Sequence, residues 1–108
     1  MAVKTGTFTF EPDFGNADSS LNINQSGNVV TINGFISNAT FPATTNSRIG
    51  TISGVSLPRQ PIRVRGACGP NAYTPGADAY FGLTIGGMLT VYPASAGTTV
   101  FFSMSYIA

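Results

Sequence analysis

A rhythm of two limits what this chain can fold into more than any other feature. In "DAYFGLTIGGMLTVYP", Asp78 to Pro93, the residues Ala79, Phe81, Leu83 and Ile85 alternate with Asp78, Tyr80, Gly82 and Thr84. Successive side chains of an extended strand point to opposite faces, so the pattern gives one strand an oily face and a mixed outer face. Gly86-Gly87 follows, and Met88 to Tyr92 then continues the pattern. A two-residue Gly-Gly link suits the primed turns of tight hairpins, whose central residues need positive φ. The spacing predicts a hairpin closing at these glycines.

The same rhythm recurs along the chain. Phe8 and Phe10 alternate with Thr7 and Thr9, and "EPDFGNADSS" then reads as a loop through its Pro, Gly, Asn and Asp. In "LNINQ", Leu21, Ile23 and Gln25 share one face, and Ser26-Gly27-Asn28 turns the chain into "VVTINGFIS". An Ala-, Thr- and Asn-rich loop spans Asn38 to Ser47. From Arg48 to Val55 the chain is β-prone with weaker alternation, and Gly50 and Gly54 point to bulges or close backbone approach. "SLPRQP" ends that strand, after which Ile62 and Val64 alternate with Arg63 and Arg65. "GACGPNAYTPG" reads as a rigid loop, and in "VFFSMSYI" the residues Val100, Phe102, Met104 and Tyr106 share a face.

No window carries a helical period, and turn signals recur at the spacing of all-β domains. The expected fold is one all-β domain over residues 1–108, an antiparallel β-sandwich of jelly-roll type with about eight strands. Residues 1–20 are expected either inside it or as a mobile or docking N-terminal arm. At 108 residues the chain can bury a single core without a staple. Its lone Cys68 forms no intrachain disulfide and is expected to be a buried, inert thiol.

Composition removes several classes of function. Only 8% of residues are charged and the net charge is +1, which argues against nonspecific nucleic-acid binding, since that needs many phosphate-neutralising side chains. A hydrophobic content of 43% argues against disorder. No run of about 18 apolar residues offers membrane insertion, and "MAVKTGTFTF" lacks the apolar core of a signal peptide. So few charges give weak protection against association, so part of the surface is expected to be covered by other subunits.

Catalytic residues are not expected. The chain has no His, its carboxylates are Glu11, Asp13, Asp18 and Asp78, and Lys4 is its one lysine. General acid-base work at neutral pH needs a titrating group near 7 or a carboxylate pair with split pKa values. No cofactor is expected, and no metal. Glu11, Asp13, Asn16 and Asp18 are oxygen donors around Gly15, but their spacing is not that of an EF-hand, and Asp and Asn favour turns for local reasons.

Two features remain as binding candidates. Arg63 and Arg65, with Arg59 upstream, form a basic strip that can take phosphate or carboxylate, pair with Asp78, or merely discourage stray strand pairing. Tyrosine combines an apolar body with a hydrogen-bonding tip, which suits subunit interfaces and sugar faces alike. Tyr80, Thr84 and Tyr92 form an outward row expected to meet another subunit, while Asn71 and Tyr73 sit in the Gly69 to Gly76 loop, where a rigid scaffold presents binding residues.

"RIGTISGVSLPRQPIRVRGACG", "ADAYFGLTIGGMLTVYP" and the terminal "TTVFFSMSYIA" resemble the C-terminal head domains of bacteriophage tail fibres and baseplate receptor-binding proteins. The shared marks are a strand ending at Leu57-Pro58, a short strand from Pro61 to Arg65, a hairpin around Gly86-Gly87 and a last strand ending near Tyr106, within residues 28–108. The resemblance implies a homotrimeric, non-catalytic β-sandwich of a virion that adheres to a host-surface glycan. Asn71, Tyr73, Asp78, Arg63 and Arg65 would then meet receptor. The chain departs from those heads in lacking a long neck or coiled coil, so a purely architectural short fibre or capsid decoration protein, contacting other virion proteins, is the alternative. A cellular carbohydrate-binding module is the third reading.

Overall fold

The computed structural model describes residues 3–71 and 76–108. The strands are β1 (Val3–Thr5), β2 (Thr7–Phe10), β3 (Asp18–Ser26), β4 (Val29–Ser37), β5 (Ser47–Ser53), β6 (Ile62–Gly69), β7 (Ala77–Leu83), β8 (Met88–Pro93) and β9 (Thr99–Ile107), with a 3-10 turn at Pro12–Phe14. All pair antiparallel in one sheet of order β1-β3-β4-β9-β6-β7-β8-β5-β2. The all-β fold read from the alternation is therefore present, and its strand order adds what the sequence left open.

The first two segments are halves of one strand divided at Gly6. β1 pairs with β3 and β2 pairs with β5, so a single stretch of chain occupies both ends of the strand order and nearly closes the sheet. Residues 3–10 are thus part of the sheet, and the expected eight strands become nine segments because this strand changes partner midway. At the change, the Gly6 N–H donates to the Ile23 carbonyl at 2.8 Å. A Cβ there would stand 2.5 Å from Ile23 Cγ2 and 2.9 Å from the Ser53 carbonyl oxygen, so only glycine lets both neighbours approach.

The meander β6-β7-β8 lies at the centre of the topology. β5 pairs with β8 and β9 pairs with β6, neither being a neighbour in sequence, which gives Greek-key pairing on both sides. Inside, Ile32, Phe81, Leu83, Leu89, Val91 and Val100 are fully buried, and the Phe81 and Phe102 rings stack at 4.6 Å. Burial of each such side chain stabilises the fold by about 1.5–3 kcal/mol. The alternation assigned to β9 holds, since Val100, Phe102, Met104 and Tyr106 all face the core.

Three local expectations change. The β7–β8 connection runs from Thr84 to Gly87, and inside the Thr84 N–H to Met88 carbonyl bond of 3.0 Å it leaves a three-residue loop, Ile85-Gly86-Gly87, in which only Gly87 has positive φ, at 87°. Thr84 accepts the Gly87 N–H at 2.9 Å through its carbonyl and the Met88 N–H at 3.1 Å through its hydroxyl, which moves the turn one residue earlier and leaves Ile85 exposed instead of buried. Such a turn followed by one left-handed glycine is the next commonest hairpin closure after the two-residue kind. "GACG" is strand rather than loop, because β6 runs to Gly69 and pairs with β9 as well as β7. β3 starts at Asp18, inside the segment expected as loop, because β4 is long enough to pair with it there.

One buried polar side chain in this core is satisfied by a designed-looking exchange across the sheet. Gln25 accepts the Ser56 N–H at 2.8 Å and donates to Ser56 Oγ and the Gly27 carbonyl, each at 3.0 Å, while the Tyr106 hydroxyl donates to the Ser56 carbonyl at 2.6 Å. The link after β5 is thereby tied to β3 and β9. Burial pushes the Tyr106 phenol above its ordinary value.

Two outcomes follow for stability. Gly6→Val should lower stability by about 1–3 kcal/mol through forced separation of β3 and β5, read as a drop in thermal midpoint. Tyr106→Phe should cost about 1–2 kcal/mol by leaving the Ser56 carbonyl without its donor. Because folding raises the Tyr106 pKa, its contribution is complete below the unfolded value near ~10 and is lost as pH climbs through the folded one. The wild-type midpoint should therefore fall as pH rises above about 10, with a shallower fall in Tyr106→Phe.

Candidate functional site

The outer side of β5-β8-β7-β6 carries the residues with binding chemistry. Pairing aligns Arg48 with Thr90, Thr90 with Gly82, and Gly82 with Arg63, which makes one row across four strands. The adjacent row joins Tyr92, Tyr80 and Arg65. Directly opposed residues of neighbouring strands project to the same side, so both rows face outward together. All of these except Arg65 line a cleft of about 740 Å³ whose walls also include Asn46, Thr84 and Met88.

Each part of the cleft has a local cause. Gly82 has no side chain, and the Thr90 hydroxyl lies over its carbonyl as a donor at 3.4 Å, so the middle of the row is low. Tyr80 and Tyr92 are 51% and 41% exposed although they are large, as expected when the inner face of β7 and β8 is already filled. The Arg65 guanidinium lies 5.4 Å from the Tyr80 ring centroid and donates to its hydroxyl at 3.4 Å. Arg65 is thus directed to the ring rather than to Asp78, a contact that contributes about 0.5–1 kcal/mol at an exposed site.

Arg63, Arg65, Asp78, Tyr80 and Tyr92 therefore share one side of the sheet, with Thr84 at the β7–β8 hairpin. The residues read as receptor-binding and those read as a subunit face lie side by side rather than on separate surfaces. Asn71 is exposed beyond the far end of β6, and Tyr73 lies outside the described residues. Arg48, Asn46, Gly82 and Thr90 were not singled out from the sequence. The signal for Arg48 is weak because the register of β5 against β8 shifts between Arg48 and Gly50, which breaks the alternation that exposes the other arginines.

The loop before β5 is fixed by backbone bonds. Phe41 and Gly97 exchange N–H to carbonyl bonds of 2.9 and 3.2 Å, and Thr44 donates to the Pro93 carbonyl at 2.7 Å. Thr44 takes φ of 50°, an uncommon value for a β-branched residue, so this anchoring holds a locally strained conformation beside Asn46. A second cleft, of about 890 Å³, shares Asn46 and Arg48 with the first and runs toward Glu11, Asp13, Asn16 and Asn38. The Asn38 side chain donates to the Asn16 carbonyl at 3.2 Å, and Phe14 stacks on Phe41 at 5.5 Å, which fixes the 3-10 turn. Among the described residues no three His, Cys, Asp or Glu side chains gather as metal ligands.

The thiol is remote from this face. Cys68 is buried beside Gly97, where an added Cβ would stand 2.7 Å from Sγ, and desolvation pushes its pKa up. What the outer face offers is guanidinium forks, hydroxyls, an amide, ring surfaces and the Asp78 carboxylate, a set whose donors suit polar or anionic groups. No protein-family model, curated protein or solved structure matches the chain. Cys68 should not react with a thiol reagent such as DTNB in the native protein near pH 8, and should react fully once denaturant is added.

Proposed function

We propose that this protein is a non-enzymatic adhesion module of a phage particle, a homotrimeric head that binds host-surface saccharide through the outer side of β5 to β8. The observation that carries this reading is the grouping of Arg48, Arg63, Tyr80 and Tyr92 around one open cleft, with Arg65 lying against the Tyr80 ring beside it. Exposed aromatic rings beside hydrogen-bonding forks suit a ligand with alternating apolar and hydroxyl surfaces. The virion setting rests on the sequence resemblance over residues 28–108. Asp78, Asn71 and Tyr73 extend the ligand contacts in this reading, and Tyr80, Thr84 and Tyr92 border a neighbouring subunit.

One observation favours the architectural alternative. Val3, Val29 and Ile107 lie in a single row through Ser26 across β1, β3, β4 and β9, and all three are exposed. Aligned apolar side chains on an outer face suit packing on another virion protein.

A glycan array of bacterial surface saccharides, read with light scattering after size exclusion, separates the two. The adhesion reading expects a trimer at micromolar concentration and array binding that falls roughly tenfold in Arg65→Ala or Tyr80→Ala with an unchanged circular dichroism spectrum. A stable monomer counts against the trimer. Absent glycan binding, together with failed particle assembly on Val29→Asp, supports the architectural role.

A further inference from the structure

We propose that the trough over Gly82 is a subsite for an acidic sugar, one bearing carboxylate or phosphate, held between Arg48 of β5 and Arg63 of β6. This rests on the adhesion reading and narrows its ligand. The chain has five cationic side chains, and Arg48, Arg63 and Arg65 all project from this one face. Among the described residues no carboxylate lines this cleft, while Glu11 and Asp13 line the neighbouring one that shares Arg48. Arg65 is engaged by the Tyr80 ring, whereas Arg48 and Arg63 are exposed at the two ends of the row. Two of the five cations therefore stand around this one concavity, with Arg65 beside it.

The spacing suits a saccharide of more than one ring. Three interstrand steps separate Arg48 from Arg63, roughly 14 Å at about 4.8 Å each. Between them stand only Thr90 and Gly82, and a Cβ at Gly82 would lie 2.9 Å from Thr90 Oγ1, so the floor stays low because residue 82 has no side chain. Tyr80 and Tyr92 border one side with ring surface, and Asn46 adds an amide. A guanidinium meets a carboxylate or phosphate through two parallel hydrogen bonds, a geometry that a neutral hydroxyl cannot reproduce. A neutral ligand covering this trough would desolvate two guanidiniums without compensating them.

The test uses the full chain and three probes of like length, trigalacturonic acid, a phosphorylated maltotriose and neutral maltotriose, titrated by calorimetry at low salt. At least one acidic probe should bind on the order of tenfold more tightly than maltotriose, and which of the two does so identifies carboxylate or phosphate as the group held. Arg48→Gln and Arg63→Gln should each weaken that binding on the order of tenfold, and added salt should weaken it further. Lys4→Gln, on β1 and outside the trough, should leave it unchanged. Equal affinity for maltotriose, or indifference to both Gln variants at unchanged melting temperature, overturns the acidic subsite and leaves the adhesion reading standing. If all three probes and the bacterial glycan array fail to bind, both fall together.

Discussion

One strand, bent at Gly6, holds both edges of the sheet, and the rest of the molecule depends on that arrangement. An open sheet presents unpaired N–H and C=O groups along each border, a liability for a protein with so few charges to keep copies apart. Here β1 covers β3 and β2 covers β5 without any break in the chain. The absence of a side chain at Gly6 is what allows the Ile23 side chain and the Ser53 carbonyl to approach the same residue. The Gln25, Ser56 and Tyr106 hydrogen bonds fasten the adjoining link, so closure is reinforced by polar contacts inside an otherwise oily interior.

Closure also decides where chemistry can occur. A small closed sheet is filled by its own side chains, and the interior here is packed by Phe41, Phe81, Ile32, Leu89 and their neighbours. Ligands are left with the outer surface, where the residues between β5 and β6 are the most varied. Along β7 and β8 the inner positions are apolar, while the outer ones alternate large and small, Tyr80 beside Gly82 and Tyr92 beside Thr90. Relief on the outer surface comes from that size difference rather than from a pocket between elements.

Much of this was legible in the amino-acid order. The faces of β3, β7, β8 and β9 follow from strict alternation, as do the outward positions of Arg63, Arg65, Tyr80 and Tyr92. What escaped reading has identifiable physical causes. "GACG" has the composition of a loop, yet it is strand because Gly66 must admit the Phe101 carbonyl and the Phe81 ring where a Cβ would collide. The turn at Gly86-Gly87 shifted because the Thr84 hydroxyl offers the Met88 N–H a partner that a two-glycine turn does not need. Arg48 stayed hidden because a bulge interrupts the rhythm one residue later. Partner exchange within a single strand leaves no local pattern at all, since it depends on edges brought together by distant segments.

The course of β9 gives the molecule two poles. At its start, Thr99 lies opposite Gly69, beside the segment that bears Asn71; at its finish, Ile107 lies opposite Val29, in the row that also holds Val3. Nine residues of extended chain separate these poles by roughly 27 Å. A probe attached at Val3 or at Ile107 would consequently emerge from the same pole, away from Asn71. Joining Val3 to Ile107 by a short linker and reopening the chain elsewhere is a permutation that this geometry favours.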